Sequence, residues 1–130
     1  MTPVKVSHSA FQGEIGFILR SLLSNGKTLP ECAVTTTKGT KVADVAWVSS
    51  SLFNRIKDEV ECSVAPEICI EVISASNSKK EINEKKHLFM EAGAQEFWVC
   101  DEEGQLKFYN STGELASSLL VPEFPKTITW

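Results

Sequence analysis

The chain has 130 residues, of which 42% are hydrophobic and 23% are charged, and its formal net charge is −4. This length and composition predict a single globular domain over residues 1–130, with a core large enough to need no disulfide or structural metal. The acidic balance argues against a strong nonspecific nucleic-acid binder, although it leaves room for a local basic patch.

The cysteines and the N-terminal segment bear on cellular location. None of the four cysteines belongs to a CxxC pair, so a zinc site is not indicated. The first residues lack a charged segment followed by a long apolar stretch, and no apolar run approaches the roughly 18 residues of a membrane span. We therefore expect a cytoplasmic protein with reduced cysteines and no membrane segment.

The first predicted element is a helix. Ser9 and Gln12 have the spacing of a capping box at its start, and Asn25-Gly26 is a typical helix end. Between these signals, apolar residues recur at helical spacing: Phe11, Ile15, Leu19, Leu22 and Leu23.

Strands dominate the next part of the chain. Residues 31–36 and 41–48 are predicted to be two strands joined by a turn at Lys38-Gly39. A short helical piece is predicted at Leu52–Lys57, and residues 67–73, which are rich in Ile and Val, are predicted to form a third strand.

A second long helix is predicted at residues 78–92. Ser78 and Glu81 give it another capping box, and Gly93 is predicted to end it.

The remaining elements are strands. Residues 96–101 and 105–110 flank a three-residue loop and predict a β-hairpin, and a last strand is predicted near Leu115–Val121. The order of helix, strands, helix and strands predicts an α/β or α+β fold, with a sheet and helices packed on it.

A lysine occupies an unusual position in the second long helix. Its apolar stripe consists of Ile82, Phe89 and Ala92, and at 100° per residue Lys85 falls near the middle of that stripe. A surface helix would normally place its lysines on the opposite side.

Two acids occupy similarly unusual positions in the strands. Asp44 is the only charge on a strand face that it is predicted to share with Val42, Ala46 and Val48. Glu71 lies deeper in the third strand than Glu67, which is near the strand's start. A buried, unpaired carboxylate costs several kcal/mol, so such groups are paired, protonated or bound to metal.

These charges admit two interpretations. In the first, Lys85 and Glu71 form a structural salt bridge, and Asp44 is solvated at a strand end. In the second, the two carboxylates hold a hard divalent cation and the lysine acts on a water, which is the equipment for phosphodiester hydrolysis.

The motif VADVAWV, followed by APEICIEVISASNSKKEINEKKHLFMEAGAQEFWVCD, resembles the Uma-two family of predicted restriction endonucleases. The resemblance covers about residues 42 to 101. It implies the restriction-endonuclease-like fold of the PD-(D/E)xK phosphodiesterase superfamily, an α/β fold with a central mixed β-sheet flanked by helices.

The resemblance also implies a site. Asp44, Glu71 and Lys85 would be catalytic, and Asp44 and Glu71 would bind Mg²⁺ or Mn²⁺ with a backbone carbonyl of Val72 or Ile73. Lys85 would assist the attacking water, and the implied substrate is DNA.

Further residues are implied less directly. His8, predicted to lie just before the first helix, matches the family's histidine, Glu31 could join the acidic cluster, and Glu81 stands where the family usually has aspartate. The second long helix also carries a group of lysines, Lys79, Lys80 and Lys86. Such a group is usually a solvated face, but beside a metal site it could contact a nucleic-acid backbone.

The sequence departs from the family pattern in ways that motivate an alternative, although the retained acids and lysine favour the active nuclease. The family's Ser-Pro is replaced by Ser74-Ala75, and only seven residues precede His8. These departures and the acidic net charge suggest a catalytically inactive module of the same fold that acts as a homodimer or binds a partner. A homodimer is also expected for the active nuclease.

Overall fold

The structure is a computed structural model that describes residues 5–130. Its helices are α1 (Val6–Leu22), α2 (Ser50–Ile56) and α3 (Lys79–Glu91). Its strands are β1 (Lys27–Thr36), β2 (Gly39–Val48), β3 (Ile68–Val72), β4 (Glu96–Cys100), β5 (Leu106–Asn110) and β6 (Gly113–Leu115).

The strands form one six-stranded sheet in the order β1-β2-β3-β4-β5-β6. Every neighbouring pair is antiparallel except β3 and β4, which are parallel and are connected through α3. A parallel pair needs such a crossover, because its strands cannot be joined by a tight turn. The predicted α/β fold with a central mixed sheet and flanking helices is therefore confirmed.

Each face of the sheet carries its own hydrophobic cluster. The first lies under α1 and includes Phe11, Ile15 and Trp98, and the C-terminal segment packs there through Phe124. The second lies under α2 and α3, and Phe89 of α3 packs within it. No helix among residues 5–130 is long and apolar enough to cross a membrane.

The predicted start and end of α1 are wrong. The helix begins at Val6 and is preceded by Lys5, which makes no side-chain cap, so Ser9 lies inside it. Gln12 does not complete a capping box, because its side chain bonds to Glu31 and to the Asp44 carbonyl instead. The helix ends at Leu22, before Asn25-Gly26.

The Ser78 cap of α3, the helix end at Gly93 and the following hairpin are confirmed, whereas within the described chain the Glu81 side chain does not complete the capping box by bonding to the Ser78 N–H. Ser78 Oγ accepts a hydrogen bond of 3.1 Å from the Glu81 N–H, and Gly93 follows the helix with a φ of 118° that suits glycine. Strands β4 and β5 pair as an antiparallel hairpin.

The predicted last strand, Leu115–Val121, is wrong beyond its first residue. Strand β6 ends at Leu115. The chain then turns inward, and the side chain of Ser118 and the backbone N–H groups of Leu119 and Leu120 donate hydrogen bonds to the Glu96 carboxylate. Because these donors bond to a buried acid, they do not form the backbone hydrogen bonds of a strand.

The inward–outward alternation of side chains shifts by one residue in the middle of β2. Ala43 and Ala46 pack in the cluster under α2 and α3, whereas Val45 packs under α1. The shift coincides with Glu31 on β1, whose φ of 49° is the only positive value at a non-glycine residue between residues 5 and 130. The face that the sequence predicts to be shared by Val42, Asp44, Ala46 and Val48 is therefore interrupted at Asp44.

Candidate active site

The candidate site lies where β2 and β3 separate. Their ladder runs from Trp47↔Ile68 to Val45↔Ile70 and stops there, one position before Asp44 and Glu71 would face each other.

Side chains take over the hydrogen bonds that the ladder no longer makes. The Asp44 N–H donates to Glu71 Oε2 at 3.2 Å, and the Val72 N–H donates to Asp44 Oδ2 at 2.8 Å. These reciprocal bonds hold the two carboxylates side by side between the strand ends.

Helix α3 adds a positive charge to this pair. Lys85 Nζ lies 2.6 Å from Glu71 Oε1, and the side chains of Lys85 and Glu71 are 25% and 7% exposed. The structure thus brings together Asp44, Glu71 and Lys85, although their catalytic roles remain predictions.

The two acids resist ionisation. The pKa of Glu71 is raised to about 7, first by burial and second by the Asp44 charge, against the lowering effect of Lys85. Burial also raises the pKa of Asp44, against the lowering influence of the Val72 N–H and of His8 and Lys85. A buried carboxylate, Glu71, and a half-buried one, Asp44, form with one lysine an acidic cluster that favours a proton or a further cation.

His8 borders the cluster from α1. It lies in the first turn of the helix, and not before the helix as the sequence predicted. Its Nε2 is 3.6 Å from Asp44 Oδ2, while its buried Nδ1 has no hydrogen-bond partner among residues 5–130. Buried polar atoms are normally hydrogen-bonded, so this nitrogen has room for a partner other than the side chains and backbone of residues 5–130.

Gln12 also contacts the site, although its sequence pattern predicts only a role in capping α1. Its Nε2 donates to Glu31 Oε1 at 3.1 Å and to the Asp44 carbonyl at 3.0 Å. Gln12 thereby links α1 to Glu31 of β1 and Asp44 of β2, where the alternation of side chains is interrupted. A signal was available, because Gln12 follows His8 by four residues and so lies on the same face of α1.

Of the two other acids predicted for the site, Glu31 interacts with the cluster and Glu81 does not. Glu31 approaches it, because its charge contributes to the raised pKa of Asp44. Glu81 is exposed in the first turn of α3, and within the described chain its side chain makes no hydrogen bond to Asp44, Glu71 or Lys85.

The backbone distinguishes the two carbonyls considered as metal ligands. The N–H and C=O groups of one strand residue point to the same strand edge. The Val72 N–H faces Asp44, so the Val72 carbonyl lies on the side of the acids. The Ile73 N–H donates to Cys100 of β4, so Ile73 belongs to the opposite edge.

The donor set suits a hard cation that keeps much of its water. No group of three or more His, Cys, Asp or Glu side chains among residues 5–130 is arranged to hold a metal. Mg²⁺, however, is usually bound through one or two carboxylates with several waters. Asp44, Glu71 and the Val72 carbonyl fit that pattern.

Comparisons with known proteins identify a family and a shared fold. Residues 1–128 match the Uma2 family, described as "Putative restriction endonuclease". A crystal structure described as "a putative nuclease belonging to DUF820", from Anabaena variabilis ATCC 29413, shares the fold with a TM-score of 0.72 and 19% sequence identity. The match covers 95% of this chain and 67% of that chain. No curated protein matches the chain in sequence.

Proposed function

This chain belongs to the Uma2 family of restriction endonuclease-like proteins, and from that membership we propose that it is a metal-dependent nuclease that hydrolyses DNA phosphodiester bonds. The observation that carries the proposal is the meeting of Asp44, Glu71 and Lys85 where β2 and β3 separate. The structural likeness to a protein described as a nuclease supports the same reading of the fold.

Asp44 and Glu71 would hold Mg²⁺ or Mn²⁺ together with the Val72 carbonyl. Their raised pKa values support this role, because a bound cation would offset the cost of burying both charges and, for Glu71, the repulsion from Asp44. When bound, the ion supplies Lewis-acid chemistry for the phosphate and lowers the pKa of a water.

Lys85 would orient the attacking water and balance the charge that develops on the phosphate. Its ammonium carries donors beyond the one directed at Glu71 Oε1, because a lysine has three. His8 would support the site from α1, where it faces Asp44 and its Nδ1 can receive or donate one more hydrogen bond.

A second candidate function is a non-catalytic module of the same fold that acts as a homodimer or binds a partner. It is favoured by the direct 2.6 Å contact of Lys85 with Glu71, since a lysine committed to a structural ion pair is not free for catalysis. In either case we propose a cytoplasmic protein, because all four cysteines are free thiols.

Cleavage of labelled DNA tests the proposal. The purified protein is incubated with single-stranded and duplex DNA in Mg²⁺, in Mn²⁺ and in EDTA. We expect metal-dependent cleavage that Lys85→Ala and Asp44→Asn reduce at least 100-fold, whereas Lys57→Ala, at an exposed position, leaves it unchanged. Cleavage that survives in Lys85→Ala would rule out this site, and a lack of cleavage in every metal would favour the second function.

A further inference from the structure

A groove of about 740 Å³ runs along the side of α3, over strands β4 and β5. We call it the α3–β5 groove and define it by Ile82 and Lys86 of α3, Val99 of β4, and Lys107 and Tyr109 of β5. The floor of the groove belongs to the same face of the sheet on which α3 packs. Helix α3 borders the groove on one side only.

The groove is basic although the whole chain is acidic. Four lysines line it, and the only acid among its lining residues is Asp101. Asp101 Oδ1 already accepts the N–H groups of Glu103 and Gln105 in the hairpin loop. The lysines are Lys79, Lys80, Lys86 and Lys107.

Two of these lysines are placed over an aromatic and apolar floor. Lys86 Nζ lies 4.8 Å from the centre of the Tyr109 ring, a cation–π contact that holds the ammonium over β5. Tyr109 pairs across the strands with Phe97, and Lys107 pairs with Val99. Charge and apolar surface are therefore combined in one channel.

A row of paired residues across the sheet connects the groove to the acidic cluster. Glu71 pairs with Val99, and Val99 pairs with Lys107, so the three residues form one row across β3, β4 and β5 on one sheet face. Neighbouring strands lie about 4.8 Å apart, which places Lys107 about 10 Å from Glu71 along the sheet. A polymer lying in the groove would reach the cluster within a few of its units.

We propose that the α3–β5 groove binds a single-stranded segment of the nucleic-acid substrate. Lys86 and Lys107 contact its phosphates, and an unpaired base replaces the Lys86 ammonium on the Tyr109 ring. Lysines that track a backbone beside an aromatic platform are the usual equipment for single-strand binding, and only unpaired bases expose their faces to such a platform. The identity of the occupant rests on the proposed nuclease function.

Binding measured without cleavage tests this inference. Fluorescence anisotropy of a labelled 15-nucleotide oligothymidylate is followed in EDTA with the full chain. We expect the double variant Lys86→Gln, Lys107→Gln to weaken binding at least tenfold and to reduce the slope of log K against log salt by about 1.4, or about 0.7 per lost phosphate contact. Tyr109→Ala should weaken binding several-fold, and Tyr109→Phe should preserve it.

A control double variant carries the same charge change elsewhere, at Lys57→Gln and Lys126→Gln, both exposed and outside the groove. Equal weakening by the control, or no binding of the oligonucleotide by the unmodified chain, would overturn the inference. Competition by polyglutamate as effective as that by unlabelled oligonucleotide would also overturn it, because the occupant would then be an acidic polypeptide.

The outcomes for the groove and for the acidic cluster can be separated. Lys85→Ala should lose cleavage and keep binding. Groove-dependent binding in a chain that never cleaves would remove the proposed catalysis and keep the groove, whereas cleavage unaffected by the groove variants would remove the groove alone.

Discussion

Lys85 Nζ lies 2.6 Å from Glu71 Oε1 and joins helix α3 to strand β3 beside the point where β2 and β3 separate. Glu71 is almost fully buried, so its charge has little access to water. The same contact is consistent with a structural ion pair and with a catalytic cluster, and the two readings differ in what happens when the lysine is removed.

Replacing Lys85 with Ala should destabilise the metal-free protein by about 3 kcal/mol at pH 8, because a buried carboxylate is left without its cation. At pH 5 the loss should be smaller, since Glu71 with its raised pKa is then mostly protonated. Urea denaturation in EDTA measures both values. A double-mutant cycle with Glu71→Gln should show strong coupling, and simple additivity would contradict a direct interaction.

The raised pKa of Glu71 also makes stability depend on pH. Between the ordinary value of 4.5 and about 7 the folded chain keeps a proton that the unfolded chain has lost. Stability from this group is therefore highest below pH 4.5, falls as pH rises through this window, and levels off above about 7. Its full extent is about 3 kcal/mol at 1.36 kcal/mol per pKa unit.

Comparing unmodified protein with Glu71→Gln isolates that contribution, because other titrating groups are common to both. The difference in unfolding free energy should shift steadily in favour of the variant from pH 5 to pH 7. Parallel profiles for the two proteins would show that Glu71 has an ordinary pKa.

The sequence contains enough information for part of this cluster. Glu71 and Lys85 could be predicted because each lies on a regular element, where a charge in an apolar stripe is visible from periodicity alone. The ends of α3 could be predicted as well, since the Ser78 cap and Gly93 are local signals.

The surroundings of Asp44 could not be predicted in the same way. They depend on a shift in side-chain alternation at Glu31, a non-glycine residue with positive φ, for which the sequence has no distinct signature. The contacts of Gln12 span 19 and 32 residues, and such contacts follow from the packing of α1 and not from local preference.

Divalent cations should stabilise the folded chain if Asp44 and Glu71 bind them. A ligand at one hundred times its dissociation constant adds about 2.7 kcal/mol, so the melting temperature should rise clearly in millimolar Mg²⁺ or Mn²⁺. The effect should be larger at pH 8 than at pH 6, because binding must displace the proton from Glu71.

Asp44→Asn should remove this stabilisation, while Asp58→Asn, at an exposed position, should keep it. Scanning calorimetry of the three proteins with and without metal measures the difference. An equal response in all three would indicate a weak, general salt effect.

Glu96 should matter for folding and not for chemistry. The residue is 1% exposed, and its carboxylate accepts hydrogen bonds from Trp98 Nε1 and Ser118 Oγ and from the N–H groups of Leu119 and Leu120, at 2.6 to 2.9 Å. It therefore fixes the segment after β6 against β4.

Glu96→Gln turns one acceptor oxygen into an NH₂ group that faces donors, so at least one buried donor loses its partner. We expect a loss of about 2–4 kcal/mol in urea denaturation, since each unpaired buried group costs about 1–3 kcal/mol and more when a charged acceptor is removed. Trp98 fluorescence should change in the folded protein as its indole loses a charged acceptor. Glu123→Gln, exposed on the same C-terminal segment, should leave both signals unchanged. An unfolding midpoint for Glu96→Gln equal to that of the unmodified protein would mean that the four donors find other partners, and the C-terminal segment would then be held by its apolar contacts alone.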